Sequence, residues 1–426
     1  MPSNLQTPIL NNYSRSVNFF NGRLLTGEDL TTEQLANRAA RNLLGRAIGP
    51  GVAHGLEVKV SALANTVLHP VLTVSKGLAI NRRGAALLLS DDTDIALVRP
   101  AGVTNGSTTI FQDCTPVQSG VYVAGAGVYL LTIGPASAAE GLAQVSGVST
   151  GAAPCNSNYK ADGVQFRLIQ IDQTMGLTLA QLSDANHLRN LVAYKCFGVE
   201  NWNSIATDPL GSPPERFGFL DTLRANEALS SCEEPLAALY WTADLGISFI
   251  DLWSVRRPIV PAGAFGHFSP FVSERRVVDG IAMFLQFQDE LRDLMANTNS
   301  LITGATAEAK QFFRYLPPVG FLPISGIGSS SGVNYQTFLD GNIYRKPEFM
   351  EGARLAALVQ EALSYPPVDL NDKVMVWLYW IRENMQAINT DSSAAPNAYI
   401  VFASGHVPNY GFPHYDVNRW DYSTYA

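Results

Sequence analysis

The chain has 426 residues, 46% hydrophobic and only 15% charged, with 29 Lys+Arg against 37 Asp+Glu for a net charge of −8. That apolar mass excludes general disorder. A charged fraction this far below the roughly 25% of ordinary soluble domains implies a surface that meets other protein. The dispersed acidic balance argues against nucleic acid and anionic membrane as partners.

In chain order, a polar N-terminus becomes sticky at Val17-Asn18-Phe19-Phe20 and turns at Asn21-Gly22. A helix follows, with Thr26 as N-cap and Asp29 three residues on. Leu30, Ala36, Ala40, Leu43 and Leu44 mark one face of it, and Gly49-Pro50-Gly51 ends it. From Val52 to about Asp172 the apolar period is two, as in Leu56-Glu57-Val58-Lys59-Val60, with Asn81-Arg82-Arg83-Gly84 as a hairpin turn. This reads as a β-rich, sandwich- or barrel-like domain with exposed Gly/Ser/Ala loops at 101–120 and 138–162.

Residues 173 to 310 read as mainly helical, with one helix over Leu177 to Leu191 and a long one over Glu274 to Ala296. Between them, Leu236 to Trp241 and Ile247 to Trp253 form a buried hairpin turning at Asp244-Leu245-Gly246. The remainder, 311–426, is a mixed region with a helix at 350–364. Its runs Val374 to Trp380 and Tyr399 to Ala403 read as paired strands, with a helix at 373–387 as the competing reading. The expected class is therefore α+β. It comprises an arm and helix (1–51), a β-rich domain (52–172), a helical middle with its hairpin (173–310) and the mixed C-terminal region (311–426).

Signals for chemistry are weak. Gly328-Ser329-Ser330-Ser331-Gly332 matches a nucleophile-elbow pattern around Ser330, but it sits in a Gly/Ser tract without the strand and helix an elbow needs. His54, His69, His187, His267, His406 and His414 have no metal-binding spacing, and His406 and His414 read as loop histidines. Asp91-Asp92-Thr93-Asp94 lacks the glycine and distant glutamate of a calcium loop and reads as a solvated turn. Cys114, Cys155, Cys196 and Cys232 contain no CxxC pair, and their frequency is ordinary for a reduced compartment. Cys232 lies beside Glu233 and Glu234, which blunt a thiol, and reads as structural. Trp241, Trp253, Trp377, Trp380 and Trp420 suit a core more than a sugar platform. No cofactor, metal or catalytic residue is expected. No signal peptide or membrane-length apolar run is present, so the expected location is the cytoplasm or a particle assembled there.

Six segments occur in a characteristic order. They are Phe20-Asn21-Gly22-Arg23-Leu24-Leu25-Thr26-Gly27-Glu28-Asp29-Leu30, Gly49 to Val58 (with Gly55-Leu56), Pro235 to Trp241, Phe249 to Arg257 (with Trp253), Phe313 to Pro318 (with Tyr315), and Trp420-Asp421-Tyr422-Ser423. With these, the chain from about residue 18 onward resembles proteins encoded in bacterial contractile injection system clusters, the phage-tail-like particles. Ala53 stands where that group often carries a cysteine. The resemblance implies a non-enzymatic structural subunit at or near the baseplate. Its partners would be further copies of itself and other particle subunits, in a symmetric assembly. A glycan- or surface-binding module is the alternative, and a hydrolase using Ser330 or the His406/His414 region is third.

Asp251 carries one structural expectation. Strict alternation would put it on a strand face with Ile247, Phe249 and Trp253, where a carboxylate needs a cation. Arg256 or Arg257 is the nearest candidate, and Arg275 or Arg276 the next.

Overall fold

The computed structural model describes residues 16–62, 69–98, 125–144, 155–202, 218–260, 275–296, 302, 307–323, 332–339, 343–344, 346–372, 374–382 and 399–410. Cys114, His267, His414, Trp420, Ser330 with most of its Gly/Ser tract, the loop 101–120 and the arm before residue 16 lie outside the described residues.

Helix α1 (Gly27–Ile48) leads into six short strands: β1 (Gly51–Gly55), β2 (Val58–Val60), β3 (Val71–Val74), β4 (Gly77–Ile80), β5 (Ala86–Leu89) and β6 (Thr93–Ala96). They divide between two antiparallel three-stranded sheets, ordered β1-β4-β5 and β2-β3-β6. Among the described residues none of the sheets closes into a barrel. The long strands β7 (Gly127–Gln144) and β8 (Cys155–Gln170) pair with the hairpin β9 (Glu234–Thr242) and β10 (Gly246–Asp251) in one sheet, β10-β9-β7-β8. The last two strands of the β-rich segment and the hairpin of the helical middle are thus one sheet.

That sheet organises the first two-thirds of the chain. Alternation sends Tyr129, Leu131 and Ile133 of β7 to one face, with Leu56, Leu72 and Leu87 of the small sheets. Val128 and Leu130 point the other way, against helices. These helices are α2 (Asp172–Met175), α3 (Leu179–Ser183), α4 (Ala185–Phe197) and α5 (Phe219–Ala225). The expected single helix over Leu177 to Leu191 is broken at Asp184, which leaves helical geometry with ψ +79° between α3 and α4.

The long helix α6 (Arg275–Ala296) joins this unit to the C-terminal sheet. That sheet contains β12 (Val319–Pro323), β13 (Ile343–Tyr344), β14 (Glu348–Met350), β16 (Met375–Ile381) and β17 (Tyr399–Ser404), while β11 (Tyr315–Leu316) pairs with β15 (Val368–Asp369). β16 and β17 are antiparallel neighbours, with Leu378 opposite Phe402. Val376, Leu378, Ile400 and Phe402 face Phe287 and Leu291 of α6. Tyr379, Ile381, Val401 and Ala403 face the helix α7 (Gly352–Ala362).

Candidate functional site

The arm and α1 form the first candidate surface. Thr26 caps α1 in a full capping box with Asp29, and Gly49 closes its C-terminus at φ +108°. Arg23 bonds both the Asp29 carboxylate and the Asn18 carbonyl, and Val17 N–H donates to Glu33 Oε2 at 3.1 Å. The arm therefore folds back along the helix. Yet Leu24 is 89% exposed, Leu44 68% and Phe20 63%, and Phe19, Leu25, Leu30, Leu35, Leu43 and Ile48 are exposed as well. Gly45 is the one buried residue of α1. The helix meets the body through Gly45 against Gly84, and through Arg38 to Asp162 at 2.6 Å. Beside these contacts runs a groove of about 450 Å³ with Leu35, Leu44, Ile48, Ile80, Ala86 and Pro135 in its walls. Single exposed apolar residues are ordinary, but a contiguous set marks an interaction surface.

The β7–β8 ribbon is the second. β9 pairs with β7 only as far as Ile133, whereas β7 and β8 continue from Gly134 opposite Gln165 to Gln144 opposite Cys155. Over residues 134 to 144 no third strand pairs with the ribbon among the described residues. An isolated two-stranded ribbon is marginal in water.

Residues with chemical potential do not converge. Among the described residues no three metal-capable side chains cluster. His187 and His406 titrate below the usual imidazole range because burial disfavours their charged forms. The Cys196 thiol is buried and pushed up to about 12, and Cys232 is buried and disulfide-bonded, so neither offers a thiolate. Asp92 accepts from the Lys76 amide and Asp94 from the Thr73 hydroxyl, so the aspartate cluster is partly spent on its own sheet. Asp94 lies inside β6, not in a turn. Trp241 is buried, Trp253 donates to Asp289 at 2.7 Å, Trp377 donates to the Val407 carbonyl at 2.8 Å, and Trp380 packs on the C-terminal core.

The largest polar constellation is internal. Asp251, fully buried, accepts from Ser254 N–H at 3.0 Å and Gln286 Nε2 at 3.1 Å, and Arg189 Nε stands 3.5 Å away. Gln286 also donates to Glu290 Oε2 at 2.6 Å and accepts from Tyr315 Oη. Asn190 takes the Arg314 and Tyr315 amides on its Oδ1. Burial, the largest influence, lifts Glu290 to about 8 against the opposing charge of Arg189. The group ties α4, β10, α6 and β11 together.

The expected pairing of Asp251 with Arg256 or Arg257 is corrected here. Arg257 bonds Asp279 at 2.6 Å, and Arg256 donates to the carbonyls of Gly55 and Leu56. Arg275 bonds Asp221. Arg256 and Arg257 are thus engaged on other elements, and a bulge between Ile247 and Phe249 breaks strict alternation upstream. Ile247 joins Ile250 and Leu252 on the small-sheet side, while Phe249 faces the helices. Asp251 meets α4 and α6, where Arg189 comes from a distant stretch of sequence.

The motif residues of the resemblance fall in three places. Phe20, Asn21, Gly22 and Arg23 form the exposed arm. Gly55 and Leu56, the latter at φ +57°, are held by Arg256, and Val52 N–H bonds the Arg257 carbonyl at 2.9 Å. Two of the motif segments are thus packed on each other. Trp241 and Trp253 line the hairpin, and Tyr315 is sealed in the polar network. Neither protein-family models nor curated proteins give any match to this chain. Among the described residues no helix is long and apolar enough to cross a membrane.

Proposed function

We propose that this protein is a non-enzymatic structural subunit of a contractile, phage-tail-like injection particle, at or near its baseplate. It works through protein–protein contacts within a symmetric assembly. The observation that supports this reading is the exposed apolar arm and helix, residues 19 to 48, which bury almost nothing on their own chain. A contiguous exposed apolar surface of that kind marks a contact with another protein. The β7–β8 ribbon, which no third strand flanks over residues 134 to 144 among the described residues, fits the same logic, and the resemblance in segment order supplies the kind of particle.

The test is deletion of the gene from a strain that makes such particles, followed by purification and electron microscopy. Loss of intact particles, with rescue by the full chain and not by one lacking residues 16–48, is expected. Normal particles that lack this chain would overturn the reading.

A further inference from the structure

A cavity of about 360 Å³ opens where the β4–β5 turn, α5, β9 and the start of α6 meet. Arg82, Arg224, Arg257 and Arg275 line it, against Asp221, Glu234 and Asp279. Two of these arginines are committed. Arg257 Nε bonds Asp279, and its remaining nitrogens go to the carbonyls of Trp253, Ser254 and Arg256. Arg275 bridges Asp221 at 2.7 Å and Asp279 at 3.6 Å.

The other groups are incompletely matched. Arg224 Nη2 and Glu234 Oε2 stand 3.6 Å apart without a hydrogen bond between them. Arg224 Nη1 donates to the Ser230 carbonyl at 3.3 Å, but Arg224 Nε and Glu234 Oε1 are buried with no hydrogen-bond partner among the described residues. Arg82, exposed at the rim, makes no ion pair or hydrogen bond among the described residues. Setting Arg257 and Arg275 against Asp279 and Asp221, two cations remain facing one carboxyl. The net charge is +1 with Glu234 ionised and +2 with it protonated.

We propose that this cavity binds a small oxoanion, a carboxylate or phosphate-type group, between Arg82 and Arg224. A guanidinium fork short of acceptors is matched by the paired oxygens of such a group. The volume lies in the range of small-molecule sites. Glu234 completes the site from β9. Burial lifts its carboxyl to about 7, against the opposing charges of Arg224 on α5 and Arg82 on the turn. Asp221, Arg275, Asp279 and Arg257 also face the cavity and compensate one another. When protonated, Glu234 donates a hydrogen bond to the anion; when ionised, it repels it. Affinity therefore falls as pH rises through about 7. This site is independent of the assembly reading.

Titration calorimetry with sulfate, whose charge is constant between pH 6 and 8, and with succinate, at fixed ionic strength, tests the proposal. Saturable binding of at least one anion at pH 6 is expected, weaker at pH 8. Arg82→Gln, at an exposed position that leaves the fold intact, should weaken binding roughly tenfold, the loss of one charge-assisted contact. Glu234→Gln should keep binding and remove its pH dependence. Absence of saturable binding of both anions at pH 6, or equal affinity in Arg82→Gln, would overturn it.

Discussion

Arg189 Nε faces Asp251 Oδ2 at 3.5 Å, linking α4 to the end of β10 where the carboxylate has no contact with solvent. Nothing in the hairpin sequence announces this partner. The carboxylate also holds the Ser254 amide and the Gln286 side chain. Asp251→Ala would remove the buried partner of Arg189, leaving that arginine its more exposed contact with Asp293, and would strand two buried donors. Removing one member of a buried ion pair costs about 3–5 kcal/mol, against less than about 1 for an exposed pair. A urea denaturation midpoint lowered accordingly, at unchanged m-value, is the expected outcome. An unchanged midpoint would mean the network contributes no stability.

Glu290 gives the fold a pH dependence of definite sign. Its carboxyl is raised from 4.5 to about 8 in the folded chain, so the folded state holds a proton that the unfolded state releases. Stability from this group is greatest below about 4.5, declines as pH rises, and levels off above about 8. Glu234, raised to about 7, acts in the same direction over a narrower window. Glu290→Gln should flatten the decline while keeping an acceptor for Gln286. Stability curves measured from pH 5 to 9 check this: the variant should gain on the wild type towards high pH, and parallel curves would refute it.

Patterns confined to neighbouring residues were readable in the sequence. The Thr26–Asp29 capping box, the 275–296 helix, the 81–84 turn and the β9–β10 hairpin each depend on spacings of a few residues. Features set by distant segments were not. The bulge at Ile247/Phe249 leaves no local mark, yet it parts Ile247 from the face that Phe249 and Asp251 share. The division of the six short strands between two three-stranded sheets could not be read, because alternation gives burial but not partner order. The apolar positions of α1 illustrate the same limit for the candidate surface. Leu30, Leu43 and Leu44 have the spacing of a buried helix face, yet they are exposed, with no element among the described residues packed over them.

Cys232 carries a prediction about redox state. It is buried and disulfide-bonded, whereas Cys196 is a buried free thiol. Structural disulfides are uncommon in reducing compartments, so this bond runs against the expectation drawn from cysteine frequency. In denaturant without reductant, iodoacetamide should label Cys196 and leave Cys232 unmodified, and peptide mass spectrometry reads the difference. Reduction should lower stability by about 2–5 kcal/mol. Labelling of Cys232 before reduction, in protein purified with thiols blocked, would show the bond is not formed.

The last prediction concerns how α1 is held. A methyl group added at Gly45 would lie 2.1 Å from the Gly84 carbonyl oxygen, and one at Gly84 would lie 1.9 Å from the Asn42 carbonyl oxygen. Gly84 also sits at φ +82°, where glycine is favoured. Backbone therefore meets backbone, with no side-chain end to move aside. Gly45→Ala raises intrinsic helix propensity by roughly 1 kcal/mol, so a loss on substitution cannot be blamed on the helix itself. The expected result is an intact helix detached from the β4–β5 turn. Amide exchange at residues 81–85 should rise, and trypsin should cut faster after Arg38, Arg41 and Arg46. The global denaturation midpoint should shift little, because α1 buries only Gly45 among its own residues. If α1 is the surface by which the subunit joins its particle, the same substitution should impair incorporation while the isolated protein stays folded. Unchanged exchange at the turn in Gly45→Ala would show that this contact does not seat the helix.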